Sequence, residues 1–237
     1  DLINPVALFR GEHKDTRMAN LWTYAAKGDG LQTDTGAARE YSELMEVSQS
    51  MVAEQVLDAV PLRRHSSLLD IGGGSGAFAM AAVSRWPRLD AAIVDLPPVA
   101  DIARDRVRQG GLESRIEIFG ADATRDPLPQ GYDVVSLVRV LHDHDDDMVR
   151  ALLQAARRAV RPGGTVLVAE PMAGQGAAGR LVSAYFNVYL LAMGSGRPRS
   201  PVELATFLRD AGFRRVRRRR TAVPMITEAL LATAPYT

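Results

Sequence analysis

From residue 66 onward, short apolar runs alternate with longer segments whose apolar residues recur at helical spacing. Ser67 to Ile71 is an apolar run that breaks into a glycine cluster. Ala77 to Arg85 is alanine-rich and helical, with Pro87 just beyond it. Ala91 to Asp95 reads as a second strand. Val99 to Gln109 reads as a helix stopped by Gly110 and Gly111, because glycine accepts the left-handed turn that ends a helix. Arg115 to Phe119 alternates polar and apolar, and Asp133 to Val138 is a buried strand. Met148 to Val160 has helical spacing and stops at Pro162-Gly163-Gly164; Thr165 to Ala169 is the next strand. This alternation predicts an α/β fold, doubly wound around a mostly parallel sheet.

Past residue 180 the pattern changes. Leu181 to Met193 is apolar with few charges. Ser200-Pro201-Val202-Glu203 is a capping box with proline at the first helical position, and the helix it opens ends at Gly212. Arg214 to Arg220 and Ala222 to Ala232 read as two final strands, a hairpin partly antiparallel to the rest. Residues 1–62 are mostly helical and carry Phe9, Trp22, Tyr24 and Tyr41, which need a surface to pack on. The chain therefore divides into a helical segment, 1–62, and a sheet domain, 63–237.

Composition narrows the chemistry. The chain has 237 residues, 46% hydrophobic and 24% charged, enough for one α/β domain with a sizeable core. A net charge of +1 gives no global reason to bind nucleic acid. The absence of cysteine excludes disulfides, thiolate metal sites and cysteine nucleophiles, and fits a cytoplasmic protein. Leu181 to Met193 contains Asn187 and two tyrosines and is too short to cross a bilayer. The chain begins at Asp1 rather than Met, as a processed or partial chain would. Arg214 to Arg220 holds six arginines interrupted by Val216. It reads as a solvated edge strand whose charges deter edge pairing, or as a contact for an anionic membrane. It lacks the interleaved aromatics of a nucleic-acid site.

The glycine cluster carries the first candidate site. Asp70-Ile71-Gly72-Gly73-Gly74-Ser75-Gly76-Ala77 joins the first strand to the first helix. Glycines let backbone approach a ligand closely, and the helix N-terminus offers free N–H groups. Gly72, Gly74 and Ala77 also match the G-x-G-x-x-A of a dinucleotide loop. Asp70 separates the two readings: its carboxylate suits the cationic amino group of S-adenosylmethionine and repels a pyrophosphate. Asp95 ends the second strand, where a carboxylate accepts hydrogen bonds from ribose hydroxyls. Asp122 follows the third strand at the same sheet edge, within reach of an adenine amino group or as a loop cap.

After the fourth strand comes Arg139-Val140-Leu141-His142-Asp143-His144-Asp145-Asp146-Asp147. That strand end borders the ligand crevice of a doubly wound fold. His142 there can take a proton from an acceptor hydroxyl, and Asp143 can orient the acceptor or tune the imidazole. Glu170, ending the fifth strand, can hold the other imidazole nitrogen and so fix the tautomer. The histidines and acids could also suggest a divalent metal, but residues 145–147 directly precede a helix and suit its positive end, so no metal is required.

Together these residues resemble the O-methyltransferases related to the plant caffeate and flavonoid enzymes. The likeness rests on Asp70–Gly76, Val94-Asp95-Leu96-Pro97, Gly120-Ala121-Asp122, Leu141-His142-Asp143, Arg161-Pro162-Gly163-Gly164 and Glu170. It implies a class I, Rossmann-like methyltransferase sheet of seven strands in the order 3-2-1-4-5-7-6. It also implies His142 as general base, Glu170 as its support, and Leu96, Ala123 and Arg139 beside the cofactor. Two positions depart from the family: Pro198 stands where a second supporting glutamate is common, and His144 where tryptophan often follows His-Asp.

A narrower resemblance is to bacterial O-methyltransferases of carotenoids, the hydroxyneurosporene and demethylspheroidene enzymes. It rests on Pro5-Val6-Ala7-Leu8, Trp22-Thr23-Tyr24-Ala25, Ser48-Gln49, Glu170-Pro171-Met172-Ala173-Gly174 and the run from Ala184 to Gly194. It implies an apolar hydroxylated acceptor. It places Val188, Tyr189 and Met193 facing that acceptor, with Tyr41 and Met45 on a helix covering the site. It further implies an N-terminal dimerisation domain outside this chain, hence a homodimer of the longer protein and an exposed apolar surface on residues 1–62. An NAD-linked oxidoreductase, a silent cofactor-binding protein, and methylation of a small phenolic or polyketide hydroxyl are the alternatives.

Overall fold

The computed structural model describes residues 5–10, 16, 19 and 48–236. Tyr41 and Met45, like Trp22 and Tyr24, lie outside the described residues. A short helix, α1 (Pro5–Phe9), and a helix α2 over 48–59 precede the sheet. The strands are β1 (Ser67–Ile71), β2 (Asp90–Asp95), β3 (Ile116–Gly120), β4 (Tyr132–Val138), β5 (Val160–Glu170), β6 (Arg214–Arg219) and β7 (Glu228–Thr233). Between them run α3 (Ala77–Arg85), α4 (Pro97–Gln109), α5 (Asp146–Ala159), α6 (Ala177–Met193) and α7 (Pro201–Asp210). The seven strands are ordered β3-β2-β1-β4-β5-β7-β6, as the resemblance implies. β1 to β5 are mutually parallel, and β7 is antiparallel to both β5 and β6.

Alternation along the strands sends side chains to two cores. Leu69 and Val135 pack on one face with Leu153 of α5 and Leu208 of α7. Leu68 and Val134 pack on the other with Phe78 and Ala82 of α3 and with Val52, Val56 and Leu57 of α2. Residues 52–62 thus share the core of the sheet domain. Strand order reverses between β1 and β4, and a crevice opens there at the carboxyl ends of the strands.

Several elements differ from the sequence reading. β7 begins at Glu228, not Ala222: Pro224 lies in a turn in which the Ile226 N–H donates to the Val223 carbonyl (3.0 Å), and the Val223 N–H donates to Gln55 Oε1 (3.0 Å). The apolar residues there resemble a strand but have no ladder. β5 begins at Val160 and runs through Pro162-Gly163-Gly164, because Ala234 pairs with that turn: Gly163 N–H to Ala234 O is 3.1 Å and Ala234 N–H to Gly164 O is 2.9 Å. Helix α4 starts at Pro97, since prolines need no N–H partner in a first turn, and α5 starts at Asp146. The capping box at Ser200 is present in both directions, with Glu203 N–H to Ser200 Oγ at 3.2 Å and Ser200 N–H to Glu203 Oε2 at 2.9 Å.

Candidate active site

One cleft at the β1/β4 reversal gathers most of the expected residues. Gly72, Gly74, Asp95, Leu96, Asp122, Ala123, Arg139, His142, Asp143 and Tyr189 line it. Val188 is half-buried and Met193 buried, and neither is among the lining residues. The helix turns about 100° per residue, so Val188 points away from the side that Tyr189 presents. Gly76 sits behind the loop as the residue preceding α3, with left-handed φ of 87°.

Asp70 is fully buried, and its strand neighbour in β4, Ser136, donates its hydroxyl to Asp70 Oδ1 at 2.6 Å. Asp70 Oδ2 has no partner among the described residues. Burial pushes the carboxyl up to about 7, against the Ser136 hydrogen bond, with nearby Asp95 adding to the rise. A buried acceptor left open in this way fits a cationic ligand group. Asp95 Oδ2 accepts the Gly74 N–H (2.8 Å) and Oδ1 the Leu96 N–H (2.8 Å), so it ties the glycine loop to the end of β2. Burial raises it to about 6 although both N–H groups favour the anion. Asp122 does cap its loop, taking the Thr124 N–H (2.9 Å) and hydroxyl (2.7 Å) on Oδ1, and still lines the cleft. At Gly74, with φ of 59°, an added Cβ would meet nothing within 4 Å among the described residues. The space it would enter is the cleft.

The block after β4 forms a 3-10 turn, Leu141–Asp143, that Glu170 caps: Oε1 accepts the N–H groups of Val140 (3.0 Å) and Leu141 (2.6 Å). Glu170 Oε2 lies 2.6 Å from His142 Nδ1. His142 is buried, with the Phe186 ring edge-on to it at 5.5 Å, and the Arg139 guanidinium lies 5.2 Å from the Phe186 ring centroid. His142 Nε2 stands 3.2 Å from Asp143 Oδ1, yet that oxygen is without a hydrogen-bond partner, so the pair is close but not aligned. Burial raises the Asp143 carboxyl to about 6. His144 also lines the cleft, and burial lowers its imidazole to about 4. Arg139 holds a left-handed φ of 60°, unusual outside glycine, and its Nε is buried without a partner among the described residues.

Three supports went unread in the sequence. Ser136 looked like one more strand residue. Gly196, with φ of 78°, packs so closely on the backbone of His142 and Asp143 that a Cβ would lie 2.2 Å from the His142 carbonyl oxygen. Arg199 is buried beneath the block and donates to the carbonyls of Leu141 (2.7 Å) and His144 (2.8 Å) and to Asp146 Oδ1 (2.6 Å). The turn that carries Pro198 thus holds the backbone of the block rather than the imidazole. Among the described residues, no group of three or more His, Asp or Glu side chains is set to hold a metal ion, and no helix is long and apolar enough to cross a membrane.

The model of the O-methyltransferase domain matches residues 11–214. The chain belongs to the O-methyltransferase domain family. It is 40% identical over 232 residues to the demethylspheroidene O-methyltransferase of Rhodobacter capsulatus, covering 98% of this chain and 57% of that protein. It is 40% identical over 235 residues to the enzyme of that name from Cereibacter sphaeroides, covering 99% and 62%. The chain therefore spans about three-fifths of the length of these curated relatives. Among solved structures, human N-acetylserotonin methyltransferase in complex with S-adenosylmethionine superposes with a TM-score of 0.81 at 25% identity, covering 97% of this chain and 66% of that one.

Proposed function

We propose that this chain transfers the methyl group of S-adenosylmethionine to a hydroxyl oxygen of an apolar acceptor, a 1-hydroxy carotenoid, with His142 as the general base. The observation that carries the reading is the hold of Glu170 on His142. Both donors available to Glu170 Oε1 are backbone N–H groups, so Oε2 is left to face Nδ1 at 2.6 Å. A carboxylate there favours a proton on Nδ1 and leaves the lone pair on Nε2.

The residues fit the cofactor. Asp70, buried with Oδ2 open, would face the cationic amino group. Arg139 would offer positive charge to the carboxylate, Asp95 would accept from ribose hydroxyls, and Asp122, Leu96 and Ala123 would surround the base. Gly72, Gly74 and Gly76 would let the loop backbone approach. When bound, S-adenosylmethionine supplies an electrophilic methyl carbon to the acceptor oxygen.

The side chains then have separate tasks. Nε2 of His142 takes the hydroxyl proton as the oxygen becomes nucleophilic, because an alcohol is far less acidic than imidazolium and is not deprotonated beforehand. Glu170 stabilises the imidazolium that results. Asp143, close to Nε2 without a hydrogen bond to it, orients the incoming hydroxyl. Tyr189 brings apolar surface to the same cleft, and Phe186 packs against Tyr189 and His142. The carotenoid acceptor is supported by the 40% identity to the two demethylspheroidene enzymes over nearly the whole chain. Incubation with labelled S-adenosylmethionine and a panel of hydroxylated carotenoids and phenols tests it. Labelled 1-methoxy carotenoid is the expected product; label in phenols alone would overturn the acceptor.

A further inference from the structure

We propose that the β6–β7 hairpin docks this protein on an anionic lipid bilayer, with its arginines on the headgroups and its turn against the acyl boundary. β6 is the last strand of the sheet, so among the described residues its outer edge is free of sheet partners. All six of its run's arginines, 214, 215 and 217–220, are exposed. Among the described residues one of them is ion-paired: Arg218 Nε lies 2.7 Å from Glu228 Oε2. A bulge sets Arg215 and Val216 opposite the single residue Ala232, with Arg215 at a left-handed φ of 54°; Val216 keeps its place against the core and an extra arginine is left outside.

Deterring edge-to-edge pairing does not account for this array. One or two charges suffice for that, and like charges crowded along a strand repel one another. The repulsion is relieved by a surface of opposite charge. The chain as a whole carries +1, so the attraction is local to this edge.

The turn identifies the kind of surface. Between the strands lie Val223, Pro224, Met225 and Ile226, with Met225 43% exposed. An apolar tip directly following a basic strand matches the layering of a bilayer, with phosphates outside and acyl chains beneath. A single-stranded nucleic acid would be met by stacking aromatics instead.

The position is also apt. Arg219 pairs in register with Ala229, and Ala229 with Ala169, next to Glu170. The arginine-to-turn junction therefore lies at the carboxyl edge of the sheet, where the cleft opens. Arg139, which lines the cleft, donates to the Ile226 carbonyl of the turn at 3.4 Å. A protein docked this way would hold its cleft beside the bilayer, whichever hydroxyl it methylates.

Vesicle flotation tests the surface. The chain should bind vesicles of mixed phosphatidylglycerol and phosphatidylcholine, not pure phosphatidylcholine, and high salt should release it. Each arginine at such a surface contributes about fivefold in partitioning, so Arg217→Gln, Arg219→Gln and Arg220→Gln together should weaken binding by about 100-fold. Met225→Ser should weaken it further. Affinity for S-adenosylhomocysteine should stay unchanged in both variants, which reports an intact fold. Absence of binding to mixed vesicles, equal binding to pure phosphatidylcholine, or full binding by the triple variant would overturn the proposal. So would tighter binding of duplex DNA than of mixed vesicles at the same salt.

Discussion

Glu170 reaches the imidazole of His142 with one carboxylate oxygen and the backbone that carries it with the other: Oε2 is 2.6 Å from Nδ1, and Oε1 accepts the N–H groups of Val140 and Leu141. One side chain thereby holds both the turn and the ring. The two roles are separable by substitution. His142→Gln should lower turnover about 10²–10⁴-fold while leaving S-adenosylhomocysteine affinity nearly intact. Glu170→Gln can keep the backbone contacts but can present an amide N–H to Nδ1. It should lose less, about 10–100-fold, the range seen when the orienting partner of a metal-ligating imidazole is removed. Steady-state turnover with the hydroxylated carotenoid measures both. Near-normal turnover of His142→Gln would remove the base from the mechanism.

Gly74 offers a substitution that bears on the ligand more than on the fold. Among the described residues its Cβ would meet no atom within 4 Å, although its φ of 59° makes any side chain somewhat strained. Gly74→Val should abolish S-adenosylhomocysteine binding in calorimetry. Circular dichroism should still show the native fold. Unchanged affinity would mean that the loop does not face the ligand.

The parts of the fold that were legible are those written in local periodicity and local caps. β1 to β4, α3 and the Ser200 capping box lie within a residue or two of their sequence-derived bounds, because each is decided by its own neighbours. The turn at 222–227 was not legible: its apolar residues read as strand, and only the Gln55 side chain of α2 shows where the Val223 N–H goes. Ser136 and Arg199 were missed for the same reason. A serine in a buried strand becomes the Asp70 partner only through the β1/β4 register, and a buried arginine is identified by carbonyls more than fifty residues away. The positions of the candidate residues were legible where they sit at strand ends; their supports come from packing between distant segments.

Arg199 carries such a support, and its replacement should be felt in stability. It donates to two backbone carbonyls and to Asp146, and is itself 2% exposed. Lysine keeps the charge but not the planar fork, so one carbonyl at least loses its donor. Arg199→Lys should destabilise by about 1–3 kcal/mol in chemical denaturation, the range for a buried polar group left unpaired. A loss within about 0.5 kcal/mol of zero, the ordinary range for surface changes, would show that the block is held by Gly196 and Glu170 instead.

Asp70, if it holds the ligand's amino group as proposed, should make the pH dependence opposite in sign for folding and for ligand binding. Its carboxyl is pushed up to about 7 by burial, from an ordinary 3.8. Below the ordinary value it is protonated whether the chain is folded or not, and its burial is then least unfavourable. As pH rises from about 4 toward 7, the unfolded chain releases this proton first, so the stability contribution of the neutral form is lost across that window. The Asp70→Asn variant cannot ionise. Its unfolding free energy relative to the parent should therefore rise with pH over the same window, and the difference removes the titration of every other group. A cationic ligand reverses the preference, because it binds the anion. S-adenosylhomocysteine affinity of the parent should strengthen as pH rises through about 7, with Asp95, raised to about 6, adding to the lower part of the curve. Binding near pH 6.5 should release protons, visible as a dependence of calorimetric heat on the buffer's ionisation enthalpy. In Asp70→Asn the affinity should be weaker and the proton release smaller. If the parent's affinity were flat from about pH 5 to 8, Asp70 would not be the partner of the amino group, and its burial would have to be explained by the fold alone.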